Sequence, residues 1–218
     1  MTPNEFYTST LAECGTTLKR LGRRSLTVAM LRLAVFAATV AAIVMLWHST
    51  AAVAACFVAG LIVFLYLAKF SNRLAAAKQI EEAKILWAQN HIDRLQLKLD
   101  KLPKGEQHAD ANHDYTFDID VFGSKSLFSL LDSTATPYGS EQLAAWLKNP
   151  KETAADTVLR QEAVRELAAK NAFRLKMASA GTVATNEMAE CKKHPFRYSF
   201  LDYSGIRHQI CEFTFRTS

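Results

Sequence analysis

The sequence predicts a mainly α-helical protein organised around a two-helix transmembrane hairpin. Forty consecutive residues, 28–67, contain a single charge, Arg32, and no Asp, Glu, Lys or Pro. Downstream of this stretch, apolar residues recur at spacings of three and four, which is typical of amphipathic helices. Only one short segment alternates with the two-residue period of a strand. The charged fraction of 22% is therefore an average over a very apolar segment and a polar remainder.

The length of the apolar stretch predicts two membrane crossings. A helix rises about 1.5 Å per residue and a bilayer core is about 30 Å thick, so roughly twenty residues cross once. The only polar interruption is Trp47–Thr50. We therefore expect spans at 28–47 and 51–67, joined by a tight turn.

The segment before the hairpin, residues 1–27, is predicted to be an amphipathic cytoplasmic lead-in. Its apolar residues follow helical spacing, and basic residues collect just before the first span. These basic residues either lie on an anionic leaflet or only set the topology, and we favour the second interpretation. The apolar set is Tyr7, Leu11, Cys14, Leu18 and Leu21, and the basic set is Lys19, Arg20, Arg23 and Arg24.

Charge predicts the orientation of the hairpin. Lys69, Arg73 and Lys78 follow the second span, whereas the turn between the spans carries no basic residue. The positive-inside rule then places both termini in the cytoplasm. A lipoprotein cleavage box at Val53–Cys56 is the alternative, but the apolar run before it is too long for a signal peptide. The four cysteines show no disulfide spacing, which fits a reducing compartment.

Residues 68–102 are predicted to form a juxtamembrane helix, because strong helix formers continue without Gly or Pro. A three-four repeat runs through Ile85, Ala88, Ile92, Leu95, Leu99 and Leu102. It spans fewer heptads than a coiled coil needs, so we favour packing against the chain's own domain and keep a homodimer as the alternative. Residues 103–114 are polar and predict a linker; its two histidines do not by themselves indicate a metal site.

Residues 115–190 are predicted to be one mostly helical segment with a short strand at its start. Tyr115, Phe117, Ile119 and Val121 alternate with polar residues. Asp118 and Asp120 share a face of this strand, but no third ligand is near, so we interpret them as solvated carboxylates.

Three helices are expected after the strand. The first is short and contains Leu127–Leu131. The second begins with Thr136 as its cap and Pro137 in its first turn, and ends at Asn149-Pro150. The third is expected to run from a cap at Asp156 to about Ala180, ended by Gly181. The residues expected to face inward on it are Leu159, Val164, Leu167 and Leu175.

The order of these features resembles a known family. The segments are Ser-Leu-Phe-Ser-Leu-Leu-Asp-Ser-Thr-Ala-Thr-Pro-Tyr-Gly-Ser at 126–140, the Trp-Leu-x-x-Pro helix end at 146–150 and Arg-Gln-x-x-Val at 160–164. Together they resemble the opening of the core (lever) domain of the MutS mismatch-repair family. The resemblance covers residues 117–167. The matched positions are Thr136, Pro137, Gly139, Trp146, Leu147, Pro150, Arg160 and Gln161, which we expect to act in packing and turns.

The hairpin and the segment Asp118–Gly123 resemble a bacterial subgroup of membrane-anchored MutS-related proteins. The resemblance implies a multi-pass protein of the bacterial inner membrane. It also implies a family that binds ATP with Mg²⁺, dimerises through its ATPase domains and, in repair members, clamps mismatched DNA. None of the eight glycines here is followed by Lys, so the sequence contains no phosphate-binding loop. We therefore expect no cofactor, no catalytic residue and no small-molecule substrate in this chain, although the family is ATPase-linked.

The tail, residues 191–218, is aromatic, has no steady period and departs from the family pattern. We hypothesise that the chain is a truncated form of a longer protein with a divergent or frameshifted end. Cys191-x-x-His194 and His208-x-x-Cys211 have zinc-ligand spacing, although chance is the favoured explanation. Two functions remain: a membrane-anchored MutS-related protein, or a membrane-tethered helical scaffold with no DNA role.

Overall fold

The computed structural model describes residues 2–46, 49–149 and 153–193, with side chains to residue 189. In these ranges the regular structure is helical and contains no strand, so the predicted mainly α fold class is confirmed. Two short 3-10 turns, at Leu99–Lys101 and Glu106–His108, lie between the second and third helices. The helices are α1 (Pro3–Met45), α2 (Thr50–Leu95), α3 (Leu127–Leu131), α4 (Pro137–Lys148), α5 (Ala154–Ala169) and α6 (Asn171–Lys193).

The two longest helices carry the apolar stretch. Helices α1 and α2 contain 43 and 46 residues, and each is long and apolar enough to cross a membrane. Their most apolar windows have mean hydropathies of 2.3 and 2.5, and only 6% of each window is buried within the protein. Trp47 and His48, in the predicted turn, lie outside the described residues, and α2 begins at Thr50 after the Ser49 cap.

No helix begins or ends at the predicted boundaries 27/28 and 67/68, where the apolar spans meet the polar segments on either side. The lead-in and the first span form one helix, and so do the second span and the juxtamembrane segment. A helix of 43 residues is about 65 Å long, roughly twice the thickness of a bilayer core. The hairpin therefore has an antiparallel extension beyond its apolar part, which we call the stalk and define as residues 3–24 of α1 and 69–95 of α2.

Local sequence explains why α1 begins where it does. The Glu5 backbone N–H donates to Thr2 Oγ1 at 3.3 Å, while the Thr2 backbone N–H donates to Glu5 Oε2 at 2.9 Å. This reciprocal capping box satisfies two of the N–H groups that a helix start leaves unpaired, and Pro3 lies at the first helical position, where no N–H is needed.

The juxtamembrane helix ends earlier than the sequence predicted. Helix α2 stops at Leu95, and Leu97 adopts a left-handed conformation with φ 55°. The Lys98 N–H then closes the end by donating to the Asp93 carbonyl at 2.8 Å. The turn at Leu99–Lys101 directs Leu99 and Leu102 into buried positions. Burial of these two leucines therefore outweighs the local helix propensity that predicted a helix to residue 102.

The strand predicted at residues 115–121 is wrong. The chain there forms successive turns, in which the Ile119 N–H donates to the Tyr115 carbonyl at 3.2 Å and the Val121 N–H to the Thr116 carbonyl at 3.0 Å. Phe117 and Ile119 are 72% and 60% exposed, so the alternation does not mark an inner face. The described residues provide no neighbouring strand, and the backbone groups pair locally instead.

The long helix predicted from Asp156 to Ala180 is two helices. Thr153, not Asp156, caps α5: its Oγ1 accepts the Asp156 backbone N–H at 3.3 Å. The chain leaves helical geometry at Lys170, and α6 then continues through Gly181 to Lys193. The break gives α6 its own direction, which brings it against α2.

The prediction for the inward face of the third helix is also wrong for α5. Leu159, Val164 and Leu167 are 64%, 62% and 42% exposed. Leu175, which lies on α6, is partly buried against the stalk core. These apolar side chains of α5 are therefore largely exposed rather than buried in a core.

Candidate functional site

The segment 132–136, between α3 and α4, lies among the residues for which the sequence predicts a MutS-like lever segment; we call it the signature turn. The Asp132 side chain is 5% exposed, and its Oδ1 accepts the backbone N–H of Thr134 at 3.0 Å and the Thr134 hydroxyl at 2.6 Å. Thr136 Oγ1 accepts the Gly139 N–H at 3.1 Å and caps α4, with Pro137 at the first helical position. The predicted cap and first turn of this helix are confirmed.

The short helix before the signature turn is also confirmed. Helix α3 begins after Ser126, whose hydroxyl accepts the Ser129 backbone N–H at 3.2 Å. The Ser129 hydroxyl donates to the carbonyl of Pro103 at 3.0 Å. Phe128 and Ser129 are fully buried. Helix α3 is therefore attached to the segment that follows α2.

The end of the stalk contacts the signature turn directly. Arg94, near the C-terminus of α2, donates from Nη2 to the Asp132 carbonyl. Burial lowers the pKa of Arg94, and the nearby Asp132 carboxylate opposes that shift. The Nε of Arg94 is buried and makes no hydrogen bond within the described part of the chain. The Arg94 guanidinium therefore bonds to the backbone of the signature turn.

A small aromatic cluster, which the sequence analysis did not identify, lies beside this contact. It comprises Tyr7, Trp87 and His91; the Tyr7 and Trp87 rings meet edge to face at 5.4 Å, and the Tyr7 and His91 rings stack at 4.9 Å. His91 Nε2 is also 3.2 Å from the hydroxyl of Ser133. Burial, followed by the charges of Arg94 and Arg174, lowers the pKa of His91 from 6.5 to about 4. His91 is therefore neutral at pH 7.

Of the three residues of this cluster, the helical spacing of apolar residues predicted only that Tyr7 lies on an apolar helix face. Trp87 and His91 occupy positions i and i+4 of α2, so they share one face of the helix. That signal is present in the sequence, but it does not reveal that the N-terminal turns of α1 cover the face.

Helix α6 covers the other side of the signature turn. Thr185 donates its hydroxyl to the Ala135 carbonyl at 3.0 Å. Gly181 lies so close that a Cβ there would be 2.9 Å from the Ala135 Cβ. The glycine predicted to end a helix instead permits close contact between α6 and the turn.

A shallow cleft of about 230 Å³ lies where α2, α6 and the signature turn meet. Its charged lining residues, Arg94 and Asp132, already interact with each other and with the backbone. Asn90, Ser133, Thr134 and Thr182 also line the cleft. The Ser133 hydroxyl in this lining lies 3.2 Å from Nε2 of His91. The described contacts hold the turn against α2 and α6, which is the geometry of a packing junction.

Three of the five remaining matched positions, Trp146, Leu147 and Arg160, have contacts in the described part of the chain. The Arg160 guanidinium lies 4.2 Å from the centre of the Trp146 ring and joins α5 to α4. The Leu147 carbonyl accepts the Tyr115 hydroxyl at 2.6 Å. Gln161 is exposed, and Pro150 lies outside the described residues. The structure therefore brings Trp146 and Arg160 together, and it keeps both apart from the Thr136–Gly139 cap contact.

The four residues with zinc-ligand spacing belong to the tail. His194, His208 and Cys211 lie outside the described residues, as does the side chain of Cys191. Across the part of the chain that is described, no group of three His, Cys, Asp or Glu side chains has a metal-binding arrangement. Asp118 and Asp120 are exposed.

Comparison of the chain with family models, with curated proteins and with solved structures finds no match.

Proposed function

We propose that the chain is a membrane-anchored MutS-related protein in which a helical hairpin holds the beginning of a lever-type domain at the membrane. The observation that carries the proposal is the contact between α2 and the signature turn. One helix contains an apolar span near its start and, near its end, the arginine that binds the Asp132 carbonyl. The same helix therefore joins the candidate anchor to the segment that carries the family resemblance.

The packing around the signature turn supports this assignment. The turn is bonded by Arg94 on one side and by Thr185 on the other, and Thr136 caps the helix that follows. Of these contacts, the Thr136 cap is a turn-forming role that the resemblance leads us to expect. ATP and mismatched DNA, which the full-length family members bind, are proposed partners of a longer protein rather than of this chain alone.

The coding sequence beyond residue 218 tests the family assignment. A phosphate-binding loop several hundred codons downstream, in any reading frame, would support a MutS-related parent and a frameshifted or divergent tail. A downstream region that encodes no phosphate-binding loop in any reading frame would contradict the assignment. Equilibrium dialysis of the 218-residue chain against ATP and Mg²⁺ provides an independent measurement, in which we expect no saturable binding.

The proposed location is a bacterial inner membrane, with two spans and both termini in the cytoplasm. Substituted-cysteine labelling tests this orientation in a background where the four native cysteines are replaced. A membrane-impermeant maleimide added to intact cells should label Ser49→Cys, next to the interhelical turn, but not Lys104→Cys. The reverse pattern would contradict the orientation, and labelling of neither site until the cells are lysed would contradict two complete crossings.

The second candidate function is a membrane-tethered scaffold with no DNA role. The apolar side chains on α5 favour it, because Val158, Leu159 and Val164 are 51%, 64% and 62% exposed. In a MutS-related parent, the rest of the lever domain would cover this face; in a scaffold, another protein would do so. The downstream coding sequence distinguishes the two, since only the first candidate requires an ATPase domain in the parent gene.

A further inference from the structure

The charges of the hairpin are concentrated at one level. Between Glu13 and Glu81 the sequence contains no acidic residue. Eight basic residues fall in the same interval, and seven of them lie in two short segments at the inner end of the apolar stretch. We call these seven the basic band: Lys19, Arg20, Arg23 and Arg24 on α1, and Lys69, Arg73 and Lys78 on α2.

Contacts between the two helices bring the segments of the band to the same height. Toward the turn, the Arg32 guanidinium lies 4.8 Å from the centre of the Phe64 ring. Farther along the stalk, burial and then the nearby Glu81 carboxylate raise the pKa of the Cys14 thiol, which places Glu81 beside Cys14. Because antiparallel helices advance by the same rise per residue, the residues between Cys14 and Arg32 lie beside those between Phe64 and Glu81. The basic residues of α1 therefore lie level with those of α2.

The band is open to its surroundings. All of its members except the half-buried Lys78 are exposed. Within residues 2–46, 49–149 and 153–193, none of the seven forms an ion pair with an acidic side chain. The positive charge is thus not compensated by the protein, and it borders the apolar surface of the hairpin.

A groove on α2 forms a candidate binding site within the basic band. It has a volume of about 160 Å³ and is lined by Tyr66, Lys69, Phe70 and Arg73. Lys69 and Arg73 are one helical turn apart on the same face, so their donors can converge on one anion. The rings of Tyr66 and Phe70 are 71% and 43% exposed and occupy the level where aromatic side chains meet the membrane–water interface.

We propose that the basic band selects phospholipids with anionic headgroups, and that the Tyr66–Arg73 groove binds the phosphate of one of them. The lipid, rather than a free phosphate, is the occupant because the groove joins the apolar surface of α2 that acyl chains would cover. Two cationic side chains one helical turn apart fit a phosphodiester, and the adjacent rings fit the glycerol and the first methylenes. This inference rests on the membrane placement proposed above.

Native mass spectrometry of the full chain in a neutral maltoside detergent tests the proposal. With equal concentrations of phosphatidylglycerol and phosphatidylcholine, we expect phosphatidylglycerol adducts to predominate and to decrease as ionic strength rises. The double variant Lys69→Gln/Arg73→Gln should lower phosphatidylglycerol binding roughly tenfold. Lys69→Arg, which retains the charge, should bind as the parent chain does.

The matched control is Lys98→Gln/Lys101→Gln, which changes the net charge equally at exposed lysines beyond the end of α2. Equal binding of the two lipids by the parent chain, or an equal loss in both double variants, would overturn the proposal. Saturable competition by glycerol 1-phosphate would also overturn it, because the occupant would then be a free phosphate ester.

Alkaline carbonate extraction separates this inference from the membrane placement. We expect the parent chain and both double variants to stay in the membrane pellet. Release of the parent chain would contradict the membrane anchor itself. Retention in the pellet together with equal binding of the two lipids would contradict only the headgroup selection.

Discussion

The imidazole of His91 stacks on the phenol ring of Tyr7, with ring centroids 4.9 Å apart and planes inclined by 8°. The two residues are 84 positions apart in the sequence, and their contact holds the start of α1 against the end of α2. Because His91 also contacts Ser133, the same ring connects the stalk to the signature turn. The stalk is thus the element that ties the apolar hairpin to the helical segment.

Removing the Tyr7 ring should loosen the N-terminal part of α1. Tyr7 is 6% exposed and contacts both Trp87 and His91. For Tyr7→Ala we expect a loss of about 3 kcal/mol in the local stability of the stalk, as for other buried aromatic truncations. Hydrogen–deuterium exchange of residues 3–14 in detergent measures it. Tyr138→Ala, at a 75% exposed tyrosine, is the control; unchanged protection of residues 3–14 in Tyr7→Ala would contradict the packing.

His91 should make the stability of the stalk depend on pH. Its pKa is lowered from 6.5 to about 4, so between these values the unfolded chain binds a proton that the folded chain does not. Stability contributed through His91 is therefore complete above pH 6.5, falls as the pH decreases toward 4, and changes no further below that. The slope is at most about 1.4 kcal/mol per pH unit and is reduced by solvent screening, because the ring is partly exposed.

Thermal unfolding of His91→Phe at several pH values tests this dependence. The variant keeps an aromatic ring but cannot titrate, so its melting temperature should fall less than that of the parent chain between pH 6.5 and 4. Parallel pH profiles for the parent chain and His91→Phe would show that other groups determine the acid sensitivity.

Two helical glycines should respond oppositely to the same substitution. At Gly15 no heavy atom lies within 4 Å of an added Cβ, whereas at Gly181 the Ala135 Cβ would be 2.9 Å away. Gly15→Ala should stabilise its helix by about 0.5–1 kcal/mol. Gly181→Ala should instead lower the free energy of unfolding, because the added methyl group forces α6 away from the signature turn. Urea unfolding monitored by circular dichroism compares them, and equal stabilisation would disprove close contact at Ala135.

The cap of α4 should depend on the hydroxyl of Thr136. Its Oγ1 accepts the Gly139 N–H at 3.1 Å, and replacing a threonine cap by alanine costs about 1 kcal/mol. For Thr136→Ala we expect faster amide exchange in the first turn of α4. Thr136→Ser retains the acceptor and should preserve protection there. Equal exchange in the two variants would show that the side chain does not cap the helix.

Local sequence signals were sufficient where the structure is decided locally. The Thr136 cap and the proline after it act within one helical turn and predicted α4, while the apolar residues of 127–131 predicted α3. The apolar stretch predicted two long helices, because its length and lack of charge do not depend on partners. The failures occurred where distant contacts compete with propensity: Leu99 and Leu102 left α2 to become buried, and the alternating segment at 115–121 found no strand to pair with.

The candidate site was only partly visible in the sequence. The signature turn was identified from the order of its residues, but its partners come from elements far away in the chain. Arg94 and Thr185 reach it from α2 and α6, and neither carries a sequence pattern that names its target. Glycine often follows helices, which predicts a helix end at Gly181. In the structure Gly181 lies within α6, and its missing side chain lets α6 approach Ala135 of the signature turn.

The sequence by itself determined the two long apolar helices, the Thr136 cap of α4 and the concentration of positive charge beside the apolar stretch, because each arises from composition or from neighbours within a turn. Only the tertiary structure decided that the lead-in and the juxtamembrane segment form one stalk. It also decided that His91 and Arg94 contact the signature turn and that the chain breaks at Lys170. Each of these outcomes depends on burying side chains from distant segments together, and that free energy is absent from any local stretch.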